Sequence, residues 1–207
     1  MCAKKSDPSS QPEKESGETR GYFKHPLAVV ESDEVGDGTR VWAWAHIMKG
    51  AKVGKDCNIG EHCFLESGCS IGDRVTVKNH VCIWEKVTVE DDVFLGPNMI
   101  FTNDASPRSG FRRPFVPTLV RKGASIGAGV IIVCGNTLGK YCSVGAGAVV
   151  TKDVPDYALV YGNPARQHGW VCRCGLKLDF ADEKARCSCG REYTFDGTTI
   201  CPLGPEE

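Results

Sequence analysis

Four side chains suited to binding or reacting with small molecules recur at intervals of eighteen residues: Trp44, His62, His80 and Asn98. Imidazole exchanges protons near neutral pH, an indole offers a stacking face, and an amide both donates and accepts hydrogen bonds. The interval predicts one vertical file on a coiled structure, forming a wall against a substrate with His80 as a proton acceptor. The alternative is a file of polar surface side chains without a ligand.

A second group lies on one long segment, residues 102–119, which has Asn103 and Asp104 near its start and carries Pro107, Pro114 and Pro117. Long loops inserted into a regular scaffold are often functional. Three arginines on this segment, with Arg108 the main candidate, suit a phosphate or a carboxylate. An inert solvated flap is the alternative.

A third group consists of two matching Cys-x-Cys-Gly knuckles near the C-terminus. Four thiolates can close a tetrahedral zinc site, and such a site leaves no open position for catalysis. One residue separates the paired cysteines, where two are usual. The pattern predicts structural zinc, with disulfides or an unliganded tail as alternatives. The predicted ligands are Cys172, Cys174, Cys187 and Cys189.

The elements that position these groups follow from an aliphatic register of every sixth residue, unbroken from Val35 to Phe101 and resumed from Val120 to Val150. Residues six apart lie about 240° apart around a helix, so no helical face forms. Short strands joined by tight corners fit the pattern, with three hexads per coil of eighteen residues. The sequence therefore predicts an all-β prism of about six coils, in which residues eighteen apart are vertical neighbours.

Composition limits the remaining possibilities. The net charge of −1 and the lack of a basic block argue against nucleic acid as a partner. No apolar run has the length of a membrane helix and no secretory leader is recognisable, so no membrane partner and a cytoplasmic location are expected. Several of the twelve cysteines occupy the small-residue column four places after the register, where a free thiol acts as a small apolar group: Cys57, Cys63, Cys69 and Cys142.

Three segments are expected. Residues 1–21 lack apolar residues to bury and predict a disordered arm. Residues 22–168 form the hexapeptide-repeat domain with its excursion at 102–119, and residues 169–207 form a cysteine-rich tail that is too short for a core without a staple.

The hexapeptide pattern resembles the left-handed parallel β-helix of the hexapeptide-repeat acyltransferases, and the left hand comes only from that resemblance. Narrower elements resemble the N-acetyltransferases of UDP- or dTDP-linked 3-amino sugars over roughly residues 25–168. These elements are Arg40-Val-Trp-Ala-Trp-Ala-His46-Ile, Lys78-Asn-His-Val, Leu95-Gly-Pro-Asn-Met-Ile-Phe-Thr-Asn-Asp104, Pro107-Arg-Ser, Val144-Gly-Ala-Gly-Ala-Val-Val and Gly162-Asn-Pro-Ala-Arg166. The cysteine tail lies outside the pattern.

The resemblance implies a homotrimer with sites between subunits and acetyl-CoA as co-substrate. It implies that Asn103 lies beside the acceptor amine and that Asp104 contacts the amine too. It also implies a sugar-nucleotide wall that includes His46 and Asn79 with the file and Arg108. The residues expected to bind CoA are Gly127, Gly145, Gly147, Lys152 and Arg166.

Three other functions can be compared with the same residues. An acyltransferase for another small amine or hydroxyl is the nearest alternative. A γ-type carbonic anhydrase needs two histidines five residues apart, and the five histidines of this chain contain no such pair. A non-catalytic scaffold with a zinc tail is disfavoured by the arginine-bearing excursion.

Overall fold

In the computed structural model, residues 21–204 are described, and they contain 25 short strands and no helix. Most strands have two residues: each hexad contributes one outward and one inward residue to a face, and its other residues form the corner. The first strands are β1 Phe23–Lys24, β2 Val29–Val30, β3 Arg40–Val41, β4 His46–Ile47, β5 Lys52–Val53, β6 Asn58–Ile59, β7 Phe64–Leu65, β8 Ser70–Ile71, β9 Thr76–Val77, β10 Cys82–Ile83, β11 Val87–Val89, β12 Phe94–Leu95 and β13 Ile100–Phe101. The later strands are β14 Thr118–Val120, β15 Ser125–Ile126, β16 Ile131–Ile132, β17 Thr137–Leu138, β18 Ser143–Val144, β19 Val149–Val150, β20 Ala158–Tyr161, β21 Arg166–Val171, β22 Lys177–Leu178, β23 Lys184–Arg186, β24 Glu192–Phe195 and β25 Ile200–Leu203.

The strands stack into three parallel faces, which confirms the β-helix of hexapeptide repeats. Face 1 follows the order β1-β3-β6-β9-β12-β15-β18-β20. Face 2 contains β2, β4, β7, β10, β13, β16 and β19, and face 3 contains β5, β8, β11, β14 and β17. Within the described residues the prism is longer than the register predicts, because β1 and β2 precede Val35 and β20 follows Val150.

The interior is lined by the predicted register. Ile59, Leu65, Ile83 and Leu95 are fully buried, and the cysteines of the small-residue column lie beside them at 1% exposure or less. Burial raises the pKa of Cys63 to about 11 and those of Cys69 and Cys142 to about 12. None of the eleven described cysteines is in a disulfide, so these thiols act as small core groups.

The three corners repeat one turn in every coil, with a left-handed residue at a fixed place. Where this residue is not glycine it is mostly His, Asn, Asp or Arg, and in the chain from Trp44 to Asn98 its φ is between 55° and 66°. His, Asn and Asp tolerate this region better than most residues. Side chains at these positions therefore point outwards from a corner and fall into files.

The tail continues directly from the prism. Strand β21 pairs antiparallel with β20 and then with β22, so it crosses the expected boundary at residues 168 and 169. A separate antiparallel sheet follows, in the order β23-β24-β25. The expected arm lies almost wholly in residues 1–20, outside the described residues, and the division into three segments stays a prediction. Among the described residues, no helix is long and apolar enough to span a bilayer.

Candidate active site at the prism corners

The file expected from the eighteen-residue interval is present at the corner between faces 1 and 2, the 1–2 corner. The rings of Trp44 and His62 stack at 4.8 Å, and those of His62 and His80 stack at 5.0 Å, each pair with an interplanar angle of 13°. The backbone amide of Asn98 donates to the carbonyl of Asn79 at 3.1 Å, which holds Asn98 one coil above His80. Trp44 is 53% exposed and the other three residues are also exposed, so the file faces outwards.

In the two coils above Asn98, glycine occupies the equivalent position at this corner. The amide of Gly129 donates to Pro97 O at 3.0 Å, and that of Gly147 donates to Ala128 O at 2.9 Å. Both glycines have positive φ, and a Cβ at either position would meet nothing within 4 Å. Gly129 is absent from the residues expected from the sequence, although its position eighteen before Gly147 would have identified it.

Gly127 and Gly145 lie on this corner and have a packing role. A Cβ on Gly127 would lie 2.6 Å from Ala146 N, and a Cβ on Gly145 would lie 2.8 Å from the Cβ of Tyr161. These glycines permit close contact with the next coil, whereas Gly129 and Gly147 leave open space outside the corner.

The excursion springs from the opposite edge of face 2, the 2–3 corner. The Asn103 carbonyl accepts the Val116 amide at 2.8 Å, and the indole of Trp84 donates to Phe101 O at 2.8 Å. The Lys86 ammonium donates to Phe115 O at 3.2 Å. These bonds fix the base of the loop and place the Asn103 side chain half-buried at its start.

Beyond this base, the loop exposes its charged groups. Asp104 accepts the Ser106 amide at 2.8 Å, and the Arg108 guanidinium donates to Pro107 O at 2.8 Å. The backbones of Arg108 and Phe111 form an isolated antiparallel β-bridge, and Phe111 is 70% exposed. Lys152 is exposed on the same 2–3 corner, after β19.

One chain therefore does not bring the expected residues into a single cleft. The aromatic and imidazole file lies on one edge of face 2, and Asn103, Asp104 and Arg108 lie on the other. The whole of β13 separates Asn98 from Asn103, roughly 15 Å of extended chain. The outward side chains of face 2 are mainly apolar, and they include Val29, Phe64, Ile100, Ile131 and Val149.

Two residues expected in the sugar-nucleotide wall have other surroundings. His46 lies on face 2 rather than at a corner, with Nε2 3.5 Å from Glu31 Oε2 and its ring edge-on to Phe64 at 5.4 Å. Asn79 is at the 1–2 corner, where its Oδ1 accepts the Glu61 amide of the coil below at 3.3 Å. The carboxylates of Asp73 and Asp91 make the same kind of contact at the corner between faces 3 and 1, so this contact belongs to the scaffold.

The tail assembles the four predicted cysteines, whose sulfur atoms all lie within 4.8 Å of one another. The Sγ atoms of Cys172 and Cys189 are 3.5 Å apart, as are those of Cys174 and Cys187. Each knuckle has one turn: the Cys172 amide donates to Leu176 O and the Cys187 amide to Arg191 O, both at 2.8 Å. Hydrogen bonds from the Arg191 amide and guanidinium lower the pKa of Cys189 to about 6, which favours the thiolate.

A chain of aromatic rings joins this cluster to the prism. Tyr141 stacks on Tyr157 at 5.5 Å, and Tyr157 meets Tyr193 edge-on at 5.8 Å. Tyr193 is fully buried, its hydroxyl accepts the Arg173 amide at 3.0 Å, and it donates to Cys172 Sγ at 3.2 Å. The cysteine cluster is thus part of a small core that covers the C-terminal end of the prism.

Comparisons with known proteins agree with this geometry. A family model described as bacterial transferase hexapeptide (six repeats) matches residues 34–67 and 56–91. The chain is 52% identical over 189 residues to the dTDP-3-amino-3,6-dideoxy-alpha-D-galactopyranose 3-N-acetyltransferase of Aneurinibacillus thermoaerophilus, covering 91% of this chain and 98% of that protein. It is 35% identical over 133 residues to the bifunctional protein GlmU of Thermosynechococcus vestitus, covering 64% of this chain and 28% of that protein.

Among solved structures, the hexapeptide-repeat-containing acetyltransferase VCA0836 of Vibrio cholerae, complexed with acetyl coenzyme A, superposes with a TM-score of 0.53 at 25% identity. The match covers 59% of this chain and 72% of that chain. The chain belongs to the hexapeptide-repeat acyltransferases and is an acyltransferase. Its resemblance to N-acetyltransferases of nucleotide-linked 3-amino sugars is confirmed by the Aneurinibacillus relative.

The similarity also extends further than the sequence alone indicated. An alignment over 91% of a 207-residue chain cannot fit before residue 169, so at least part of the tail aligns with the Aneurinibacillus protein. The expectation that the whole cysteine tail lies outside the resemblance is therefore wrong for at least part of the tail.

Proposed function

We propose that this enzyme transfers the acetyl group of acetyl-CoA to the 3-amino group of a UDP- or dTDP-linked amino sugar. The relative at 52% identity, named for this reaction on a dTDP sugar, carries the proposal, and it favours the dTDP form of the acceptor. The acetyl donor is supported by the acetyl coenzyme A complex of the Vibrio protein.

The reaction needs little beyond positioning. The sugar nitrogen attacks the thioester carbonyl, the carbon–nitrogen bond forms, the carbon–sulfur bond breaks, and CoA leaves as the thiol. Holding the amine and the carbonyl in contact supplies much of the rate. In this proposal the Asn103 side-chain oxygen orients the amine with Asp104 beside it, and His80 accepts the proton that the nitrogen loses.

The remaining residues bind the two substrates. Trp44, His62 and Asn98 form a wall against the sugar nucleotide, with His46 and Asn79 at its margins, and Arg108 meets the pyrophosphate. The acetyl donor runs up the 1–2 corner past Gly129 and Gly147, where the backbone is uncovered. Gly127 and Gly145 keep these coils in contact. Arg166 of the same chain faces the CoA phosphates, together with Lys152 on the 2–3 corner of a neighbouring chain.

A homotrimer in which face 2 meets the neighbouring chain completes this site. The apolar outward residues of face 2 suit an interface between copies. Such an interface brings the 1–2 corner of one chain towards the 2–3 corner of the next. The two groups that one chain holds apart, His80 and Asn103, then meet between chains.

For the tail we propose structural Zn²⁺ held by Cys172, Cys174, Cys187 and Cys189. Four sulfurs at about 2.3 Å from a tetrahedral Zn²⁺ lie about 3.8 Å from one another. The observed separations of 3.5 Å in two pairs are close to this value, and they are far longer than the roughly 2.05 Å of a disulfide.

Thiol release from acetyl-CoA with a panel of UDP- and dTDP-linked 3-amino sugars tests the function. We expect turnover on at least one dTDP-linked member and a large loss in the Asn103→Ala variant. Asn58→Ala on face 1 is the matched control: Asn58 is assigned to neither substrate, its Oδ1 accepts the Trp42 indole at 2.9 Å, and its loss should keep full turnover. No turnover on any member of the panel would refute the proposal.

A further inference from the structure

The last strand of the prism ends at an exposed pair of aromatic rings. Tyr161 and His168 stack with ring centroids 3.7 Å apart and an interplanar angle of 7°. Tyr161 is 44% exposed, and His168 is also exposed. Each ring uses one face for the other, so the pair presents a flat outer surface to solvent.

A β-bulge lies at this pair. In the β20–β21 ladder, Leu159 is opposite Gly169 and Val160 is opposite Gln167, so His168 is left without an opposite residue. Bulges redirect side chains and are common beside functional sites. Here the extra residue, His168, is the one whose ring stacks on Tyr161.

The pair stands at the C-terminal end of the corner assigned to the acetyl donor. Tyr161 lies directly over Gly145, whose missing side chain allows this contact. Gly147 follows two residues later, and Gly129 and then Asn98 lie below it at steps of about 4.8 Å. The uncovered glycine strip thus leads from the file of His80 and Asn98 towards the Tyr161–His168 pair.

Cationic side chains flank the pair. Arg166 is opposite Tyr161 in the ladder, and its exposed guanidinium donates to its own neighbour's carbonyl, Ala165 O, at 2.9 Å. The Lys177 side chain lies next to Gly169: its Cε is 3.5 Å from the position that a Cβ on Gly169 would occupy. A flat aromatic surface next to two cations suits a purine nucleotide with phosphates, because the base stacks while the guanidinium and ammonium meet negative charge.

We propose that the Tyr161–His168 pair is the stacking platform for the adenine ring of acetyl-CoA, with Arg166 and Lys177 towards its phosphates. This inference rests on the proposed function only in taking acetyl-CoA as the donor. It assigns the pair to the end of the cofactor remote from the thioester, so its loss affects donor affinity and leaves the chemical step unchanged.

The test compares two acetyl donors, acetyl-CoA and S-acetylpantetheine, the second of which lacks the nucleotide. Tyr161→Ala should raise KM for acetyl-CoA about tenfold. It should leave kcat and all values for S-acetylpantetheine unchanged. Tyr161→Phe keeps the ring and should retain the wild-type KM. Leu176→Ala, an exposed apolar side chain of the same end of the molecule, is the control and should also retain it.

Calorimetric titration with CoA and with adenosine 3′,5′-bisphosphate gives a readout that needs no amino sugar. Both ligands should bind Tyr161→Ala about tenfold more weakly than the wild type. An equal loss for both acetyl donors would overturn the inference, because the pair would then act only on the hairpin. An unchanged KM and unchanged CoA affinity would overturn it too.

If Tyr161→Ala loses its thermal transition, His168→Ala replaces it, since that change removes only the bulged residue of the pair. A wild-type enzyme that binds CoA but acetylates no amino sugar would defeat the proposed acceptor. The calorimetric comparison would still decide the role of Tyr161.

Discussion

His62 and His80 stack ring on ring at 5.0 Å, both with left-handed backbone at φ 57° and 61°. The shared conformation places each imidazole at the outside of its corner. His80 is the upper ring, next to Asn98 and the open glycines, and His62 lies between it and Trp44. In the proposed site, the stack therefore orders two chemically identical groups between the acceptor and the acetyl donor.

From this order we expect His80→Gln to lower kcat about a hundredfold, since general base catalysis contributes on this scale. Glutamine keeps a hydrogen-bonding group but accepts no proton. His62→Gln should instead change mainly KM for the sugar nucleotide. Steady-state kinetics on both variants separate the two roles. Full kcat in His80→Gln would assign the proton to solvent and leave His80 as part of the wall.

The proposed site between subunits predicts complementation between two inactive chains. Equimolar His80→Ala and Asn103→Ala chains, reassembled into trimers at random, should recover about a quarter of the wild-type sites, because some interfaces then join two intact halves. Activity of the mixture and of each parent, with light scattering for the oligomer mass, provides the measurement. A mixture no more active than its parents would place each site within one chain.

The two kinds of corner glycine should respond differently to alanine. Gly147→Ala has open space around its Cβ, so we expect a stability loss of about 1 kcal/mol from its left-handed backbone and a raised KM for acetyl-CoA. Gly127→Ala drives a Cβ to 2.6 Å from the Ala146 nitrogen, so it should lower the melting temperature strongly. Thermal denaturation with donor kinetics distinguishes them. Equal melting losses would contradict the distinction.

Metal content tests the tail directly. We expect one zinc per chain in the purified protein and its loss in the Cys172→Ser, Cys187→Ser double variant, together with a lower melting temperature. Cys201→Ser is the control, because Cys201 is outside the four-sulfur cluster and exposed. Metal-free protein with an unchanged melting curve would refute the zinc site.

Thiol reactivity tests whether the core cysteines are buried and protonated. With pKa values raised to about 11 for Cys63 and about 12 for Cys69 and Cys142, these groups are protonated at pH 8 and lack the nucleophilic thiolate. Native protein should therefore react with a disulfide reagent only at exposed sites such as Cys201, and the core thiols should react after unfolding. Mass mapping of the labelled peptides measures this. Rapid native labelling of Cys69 would contradict the burial.

The prism and its files followed from sequence because one register repeats in every coil. The repeat of six residues was enough to place Leu65 and Ile83 in the interior. The coil length of eighteen residues was enough to place His62 beneath His80. Tyr161 and His168 lie beyond the register, on the two strands of a single antiparallel ladder whose pairing no repeat predicts. Asn103 and His80 were assigned to one site, but the width of face 2, which depends on three-dimensional geometry, separates them in a single chain.

The coil repeat also governs how this enzyme can be re-engineered. Because each coil adds about 4.8 Å and returns every corner to the same orientation, inserting or deleting eighteen residues between Asn98 and Gly147 changes the separation of acceptor and donor ends in whole steps. Extra residues that loop out at a corner, as residues 102–119 do, leave the stacking of Gly129 above Asn98 intact. Extra strand hexads that do not complete a coil would instead rotate the later side chains to another corner. In the proposed site, the distance between the acceptor end and the donor end therefore changes only in steps of about 4.8 Å, one for each coil added or removed.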